Sequence, residues 1–323
     1  MAVSKTQQFF ESIWYVKKSW WLYLFYPLHW LLALLVILRR ACYKLGIFNS
    51  AKPNVPVIVI GNINVGGTGK TPLAIHLLKF LKAEGFKPGL VTRGYGGQSE
   101  QYPIVVEQTS KPCQVGDEPK LIFNNTQSPV VVDRQRARGA QKLVDEFSCD
   151  LILCDDGLQH YALQRDIEIL VVDAERQFGN GLLMPLGPLR EPVSRASQTD
   201  LTVVNGDTMQ LNPAKLRSVK DRSEIELKLQ GSITAIAAIG NPQRFYNTLT
   251  QLGYEFSSQS FADHHHFSPE DFENIEGSII MTEKDAVKCQ EFANDNCYYL
   301  PVTAQLAPEL STNLLNLIRQ KAV

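Results

Sequence analysis

The stretch "GNINVGGTGKTP" (Gly61–Pro72) stands between a short β-rich apolar run, "VPVIVI", and an amphipathic segment, "LAIHLLKFL". A glycine-rich turn at a strand-to-helix junction, ending in Gly69-Lys70-Thr71, follows the phosphate-binding pattern G-x-x-x-x-G-K-[ST]. In such a loop backbone N–H groups point at phosphate oxygens, the lysine reaches the β- and γ-phosphates, and the hydroxyl meets Mg2+. Asn64, Val65, Gly66, Gly67, Thr68, Gly69, Lys70, Thr71 and Pro72 are therefore the candidate nucleotide-binding set. One position departs from the pattern: Asn64 stands where the first glycine belongs, and Gly61 lies three residues too early to replace it. Asparagine tolerates left-handed backbone better than other non-glycine residues, so the turn is expected to survive. Pro72, in the first turn of the helix, lacks only an N–H that would be unpaired anyway. The plainer alternative is a glycine-rich turn without a ligand.

A loop of this kind needs a second carboxylate at the end of a hydrophobic strand. "DLILCDDGLQH" supplies one: Leu151–Cys154 are apolar, and Asp155 and Asp156 follow in the Walker B arrangement. Alone, Asp-Asp after a strand is often only a turn; beside Lys70 it reads as the metal side of a nucleotide site.

Short apolar runs alternate with amphipathic segments from Val55 onward. Strands are expected at 55–60, 88–92, 129–132, 150–154, 167–172 and 201–204, and helices near 70–83, 117–125, 135–147 and 213–219. This is an α/β pattern, a mostly parallel sheet with crossover helices like that of a P-loop NTPase, with ligands beyond the carboxyl ends of its strands. The polar stretch "NGDTMQLNPAKLRSVKDRSE" separates it from a second series. There "SITAIAAIG", "GSIIMT" and "CYYLPV" read as strands, and "NPQRFYNTLTQLG", "SPEDFENI" and "APELSTNLLNLIRQKAV" as helices. The expected division is an N-terminal membrane-associated helical segment (1–50), a P-loop domain (51–215) and a smaller α/β domain (216–323), with the boundary within 208–230. A chain of 323 residues has room for two such cores. Its six cysteines form no C-x-x-C pair, which points away from zinc and disulfides and towards a reducing compartment.

"WWLYLFYPLHWLLALLVIL" (Trp20–Leu38) runs 19 residues without a charge, between Lys17-Lys18 and Arg39-Arg40, and all four tryptophans lie at or before Trp30. Tryptophan and tyrosine concentrate where a membrane meets water. Residues 1–52 carry seven Lys/Arg against Glu11, a net +6 that leaves −7 for the rest of a chain whose total is −1. No small-residue cleavage site follows, which excludes a signal peptide. Pro27 and His29 interrupt the run, and basic residues flank it evenly, so the positive-inside rule selects no orientation. A monotopic helix or helix pair in the interface is the favoured reading, ahead of a span and of a core helix of a soluble domain.

Guanine readout by N-K-x-D and the L-S-G-G-Q signature of transport ATPases are both absent, which argues against a small GTPase and a transporter motor. "VGDEP" instead holds Asp117 and Glu118 before a helix, and a carboxylate outside the metal set is what a kinase needs to take a proton from an attacking hydroxyl. "GNINVGGTGKTP", "TRGYGG", "VGDEP", "DDGLQH", "GPLREP", "ADHH" and "TEKDAVK" occur in this order over about residues 55–290. With the hydrophobic leader, this series resembles the tetraacyldisaccharide 4'-kinase family of lipid A biosynthesis, whose loop also lacks the first glycine.

The resemblance implies transfer of the ATP γ-phosphate, with Mg2+, to the 4'-hydroxyl of an acylated disaccharide-1-phosphate at the cytoplasmic face of the inner membrane. No nucleic acid partner is expected. It also implies roles: Lys70 and Thr71 on phosphates and Mg2+, and Asp155 and Asp156 with Gln159 and Glu191 on the metal side, the direct ligand left open. Asp117 becomes the general base, assisted by His264, with Arg190 and Tyr95 near the transferred phosphate or the sugar. Each has a plainer reading. Asp117 could serve only as a helix N-cap. His264–His266 could be a solvated loop or a metal tract. Arg134, Arg136 and Arg138 could form a solvated face rather than meet the substrate's 1-phosphate. A membrane-recruited nucleotide switch is the rival function; it would turn over slowly with or without the acylated acceptor.

Overall fold

The computed structural model describes residues 12–15, 20–225 and 231–321; Lys17 and Lys18 lie outside this set. In chain order the strands are β1 (Val57–Gly61), β2 (Pro88–Thr92), β3 (Ile104–Val105), β4 (Val130–Val132), β5 (Leu151–Cys154), β6 (Ile167–Asp173) and β7 (Leu201–Asn205). They continue with β8 (Met209–Pro213), β9 (Arg217–Ser218), β10 (Ile233–Ala237), β11 (Ser257–Ser260), β12 (Ser278–Thr282), β13 (Cys297–Leu300) and β14 (Val302–Leu306).

Two sheets result. The larger has nine strands in the order β14-β8-β7-β6-β1-β5-β2-β4-β3, and the smaller has five in the order β11-β10-β12-β13-β9. From β4 to β7 every neighbour in the large sheet is parallel, while β3 and β14 add antiparallel edges. β1 and β5 are buried along their whole length, as strands covered on both faces must be. The helix Lys70–Ala83 turns Leu73, Ala74, Leu77, Leu78 and Leu81 onto this sheet, the three-and-four spacing of a single helix face. β1 sits centrally, with β5 on one side and β6 on the other, so its carboxyl end opens into the crevice where α/β sheets bind ligands.

Three sequence expectations need correction. Residues 213–219 are not helical. Pro213 ends β8, and Arg217–Ser218 form β9, paired with Tyr298 and Tyr299 of β13; this strand pairing and burial of Leu216 and Val219 override local helix propensity. "SPEDFENI" shrinks to one 3-10 turn, Pro269–Asp271, closed by a capping box between Ser268 and Asp271. Finally, the second domain does not run to the C-terminus. β14 pairs with β8 from Val302↔Pro213 to Leu306↔Met209, and the helix Pro308–Lys321 buries Leu314 and Ile318 in the core of the large sheet. The smaller sheet is thus inserted between β8 and β14.

The leader folds as a 3-10 segment, Trp20–Phe25, and a helix, Tyr26–Lys44. Ala33 packs into the core beside Leu32, and His29 Nδ1 accepts the Leu183 backbone N–H at 3.2 Å. The opposite side leaves Trp30 (70% exposed), Leu31, Leu34, Leu35, Ile37 and Leu38 facing outward, continued by Leu45, Ile47 and Phe48. No described helix is long and apolar enough to cross a membrane.

Because Ile318 is fully buried in the core of the large sheet, Ile318→Ala is expected to lower the unfolding free energy by about 2–4 kcal/mol in a denaturant titration. A loss below about 0.5 kcal/mol would mean that the last helix is not part of that core.

Candidate active site

The loop after β1 is held from both ends. Lys70 Nζ donates to Asn62 Oδ1 at 3.1 Å and lies 3.4 Å from Asp156 Oδ1. Its left-handed residues are Gly66 and Gly69; Asn64 is not one of them. Asn64 instead is buried, bridges to Leu189 and donates its side-chain N–H to the Gln177 carbonyl. The missing glycine therefore demands no unusual backbone: the side chain at this position ties the loop to the segment behind it. A glycine is needed at 69, where φ is +96° and a Cβ would lie 2.7 Å from Asn205 Nδ2. Asn205, at the end of β7, donates to the Thr68 carbonyl at 3.1 Å and accepts from Arg244 Nη2 at 3.0 Å, while Arg244 Nη1 reaches Asp173 Oδ2 at 3.1 Å.

Asp155 and Asp156 follow β5 as expected, but their environments differ. Asp156 accepts Arg190 Nη1 on both oxygens, at 3.2 and 3.1 Å. Burial pushes its carboxyl up, yet Lys70 and Arg190 together outweigh burial and hold it below the ordinary range. Asp155 is buried with Oδ1 lacking any hydrogen-bond partner. Burial, then the Glu118 and Asp156 charges, raise its carboxyl well above the ordinary range.

Gln159 and Glu191 sit differently from the expectation that placed them on the metal side. Glu191 is 2% exposed; it accepts Gln159 Nε2 at 2.9 Å and the Tyr161 hydroxyl, with Arg195 close by. The same Gln159 nitrogen lies 3.0 Å from the Asn62 carbonyl. Glu191 thus supports the loop through Gln159, which itself lines the cavity, and Asp155 Oδ1 is left without a partner. Among the described residues no three His, Cys, Asp or Glu side chains converge as a metal cage, His264–His266 included.

The smaller sheet faces this loop. His264 Nδ1 lies 3.0 Å from Asp117 Oδ2, and the Tyr95 ring packs 4.7 Å from the imidazole, centroid to centroid. Asp117 opens the helix Asp117–Thr126, its Oδ1 accepting the Glu118 N–H at 2.9 Å. At 5% exposed it does not line the cavity; His264 does. Burial raises the Asp117 carboxyl, but His264 and Lys284 outweigh it and bring it below the usual range; the Asp117 bond in turn raises the His264 imidazole. His265 bonds Asp271 instead, at 3.0 Å, which separates the roles of neighbouring histidines.

One cavity of about 1080 Å³ joins these groups: residues 65–72 of the loop, Asp155, Asp156, Gln159 and Arg190 on one wall, and Asn241, Arg244, Asp263, His264 and Lys284 on the other. Arg93, Arg134, Arg136 and Arg39 of the leader also line it, whereas Arg138 is tied to Asp133 through Nε and Nη2 at 2.7 and 2.9 Å. His160 registers the arginines: burial, then Arg136, Arg165, Arg39 and Arg93, push its imidazole down to about 4. No role for Lys284, Arg244, Asn62 or Asn205 followed from sequence. Lys284 lies in "TEKDAVK" and Asn205 in "VVNGD", but neither segment shows by spacing which loop it will meet.

Known proteins share this architecture. The sequence model of the family described as tetraacyldisaccharide-1-P 4'-kinase matches residues 21–319. The tetraacyldisaccharide 4'-kinase of Tolumonas auensis is 47% identical over 320 residues, covering 96% of this chain and 97% of that protein. That of Pseudoalteromonas atlantica is 48% identical over 303 residues, covering 91% and 99%. The crystal structure of LpxK from Aquifex aeolicus in complex with ATP superposes with a TM-score of 0.77 at 25% identity, over 91% of this chain and 98% of that one. The likeness thus runs along nearly the whole length of these proteins, and the chain belongs to the tetraacyldisaccharide-1-P 4'-kinase family.

Proposed function

We propose that this kinase phosphorylates the 4'-hydroxyl of a tetraacyldisaccharide 1-phosphate from ATP at a membrane surface, with the labour divided between the two walls of its cavity. The observation that carries this reading is the single cavity that brings the P-loop and the Asp117–His264 pair together from different domains. The nucleotide phosphates lie on the backbone N–H groups of residues 65–70, with Lys70 neutralising their charge. A divalent cation fits beside them. The partnerless, buried Asp155 Oδ1 and the Thr71 hydroxyl are hard oxygen donors of the type Mg2+ prefers, and a cation bound there would offset phosphate charge.

The acceptor hydroxyl attacks the γ-phosphorus as the bond to the departing ADP oxygen breaks, and its proton passes to the Asp117–His264 pair. His264 is the member that meets the cavity, and Asp117 is the buried anion that orients it. Arg190, held by Asp156 beside Lys70, is placed to meet the transferred phosphoryl group. Arg93, Arg134 and Arg136, with Arg39 from the leader, suit the anionic 1-phosphate. The leader's outward apolar face suits the bilayer interface, and the acyl chains never have to enter water, where each exposed CH2 costs about 0.8 kcal/mol.

Three results are expected. Lys70→Ala should cut kcat by about 10²–10³ in a transfer assay; a folded variant retaining more than a tenth of the rate would remove the loop from the reaction. Replacing Trp30, Leu34 and Leu38 together with glutamate should release the protein from phosphatidylglycerol-containing vesicles on sedimentation without lowering its melting temperature, since these side chains face outward. Continued full co-sedimentation would place the membrane contact elsewhere. Asp117→Ala and His264→Ala should each lower kcat strongly with KM for ATP within a few-fold, and the double variant should be little worse than the poorer single, as groups acting as a unit behave. Losses that multiply would show that the two act separately.

A further inference from the structure

One mostly buried ammonium lies against the proposed base without a part in the scheme above. Lys284 sits in the first turn of the helix Glu283–Cys289, directly after β12, with its side chain 17% exposed. Its Nζ lies 3.0 Å from Glu118 Oε1, 3.3 Å from His264 Nε2, 3.7 Å from Asp263 Oδ1 and 3.8 Å from Asp117 Oδ2. An ammonium offers three N–H donors and no lone pair. Its approach to His264 Nε2 is attractive only where that nitrogen is unprotonated and accepts. The proton of the neutral ring then belongs on Nδ1, where Asp117 Oδ2 takes it at 3.0 Å.

We propose that Lys284 is a positioning residue for the transfer reaction: it fixes His264 as the Nδ1–H tautomer with Nε2 as acceptor and keeps Asp117 anionic. The inference rests on Asp117 and His264 forming the general base. It gives Lys284 a task that clamping two domains would not require, because a clamp needs only the Glu118 contact.

The sign of the effect follows from every charge that faces the pair. The Lys284 cation opposes a second proton on His264 and stabilises the Asp117 carboxylate. Glu118 on the same helix as Asp117, and Asp263 on the histidine's own loop, are anions that Lys284 neutralises; Lys288, one turn further along its helix, also lowers Asp117. The Tyr95 ring packed on His264 completes the surroundings. Removing Lys284 therefore makes both members of the pair hold protons more tightly. The acid limb of kcat must move to higher pH, by about 1–2 units for loss of a cation at this range. An arginine keeps the charge and should restore the limb.

The test is kcat from pH 5.5 to 9.5 for the full-length enzyme with saturating ATP-Mg2+ and acylated disaccharide 1-phosphate in detergent micelles. Wild type, Lys284→Met and Lys284→Arg are compared, with Asp117→Asn in parallel. In addition, 15N imidazole shifts of His264, assigned by their loss in His264→Ala, read the tautomer directly. The expected result is a neutral Nδ1–H ring in the wild type, an acid limb raised by at least one unit in Lys284→Met with rates converging towards wild type at alkaline pH, and recovery in Lys284→Arg. A Lys284→Met loss that is equal at every pH, with unmoved histidine shifts, would overturn the proposal and leave Lys284 a structural clamp. Should Lys284→Met fail to fold, an Nε2–H tautomer in the wild-type spectrum would overturn it equally. An active Asp117→Asn variant would instead remove the base assignment itself, whatever Lys284 does.

Discussion

His264 Nδ1 and Asp117 Oδ2, 3.0 Å apart, join a loop of the inserted sheet to a helix of the P-loop domain, and the rest of the site takes its shape from that contact. Asp117 is buried behind the histidine, and His264, at φ +61°, holds a backbone conformation that a non-glycine residue adopts only when its surroundings insist. The bond holds the second wall of the cavity opposite Lys70, and Lys284 and Glu118 repeat the crossing a few ångströms away. Arg244, on Asp173 and Asn205, makes a further crossing at the base of the loop. Part of the charge at the site is thus balanced between the two domains, alongside pairs such as Arg190–Asp156 that stay within one.

How much of this was readable in the sequence depended on distance along the chain. The phosphate loop and the Asp155–Asp156 turn are contiguous, so strand, turn and chemistry occupy one window; Gly69-Lys70-Thr71 stands where the pattern put it. The Asp117–His264 pair came from family resemblance, because nothing local ties residue 117 to residue 264. Lys284 was invisible for the same reason: its meaning lies in four oxygen and nitrogen atoms contributed by two other segments. Glu191 too came from the resemblance, and no local pattern shows that Tyr161, Gln159 and Arg195 enclose it. At the fold level the passage between sheets falls within 208–230, between β8 and β9, and the departure from expectation lies at the C-terminal end. The polar linker hides that the chain leaves the large sheet at β8 and comes back at β14, since a strand carries no mark of which sheet it will join.

The leader and the site are less separate than an anchor and an enzyme would be. Arg39 and Arg40 lie close to the Tyr161 ring, and Tyr161 in turn bonds Glu191, whose other oxygen meets Gln159 and, through it, the Asn62 carbonyl. A helix whose outer side is apolar therefore touches, on its inner side, the framework that supports the phosphate loop. Any displacement of that helix would carry Arg39 with it, and so would reshape the cavity wall that Arg39 lines.

Because β14 and the final helix return to the large sheet, a chain emerging from the ribosome carries an unfinished P-loop domain almost to its end. The inserted sheet is complete once Leu300 has been made, whereas β8 still lacks its outer neighbour and the pocket filled by Leu314 and Ile318 is still open. Domains fold largely in order of synthesis, but here the one begun first is closed last. A polypeptide cut short near residue 300 would hold every candidate catalytic side chain and still lack the edge of the sheet that keeps them in place.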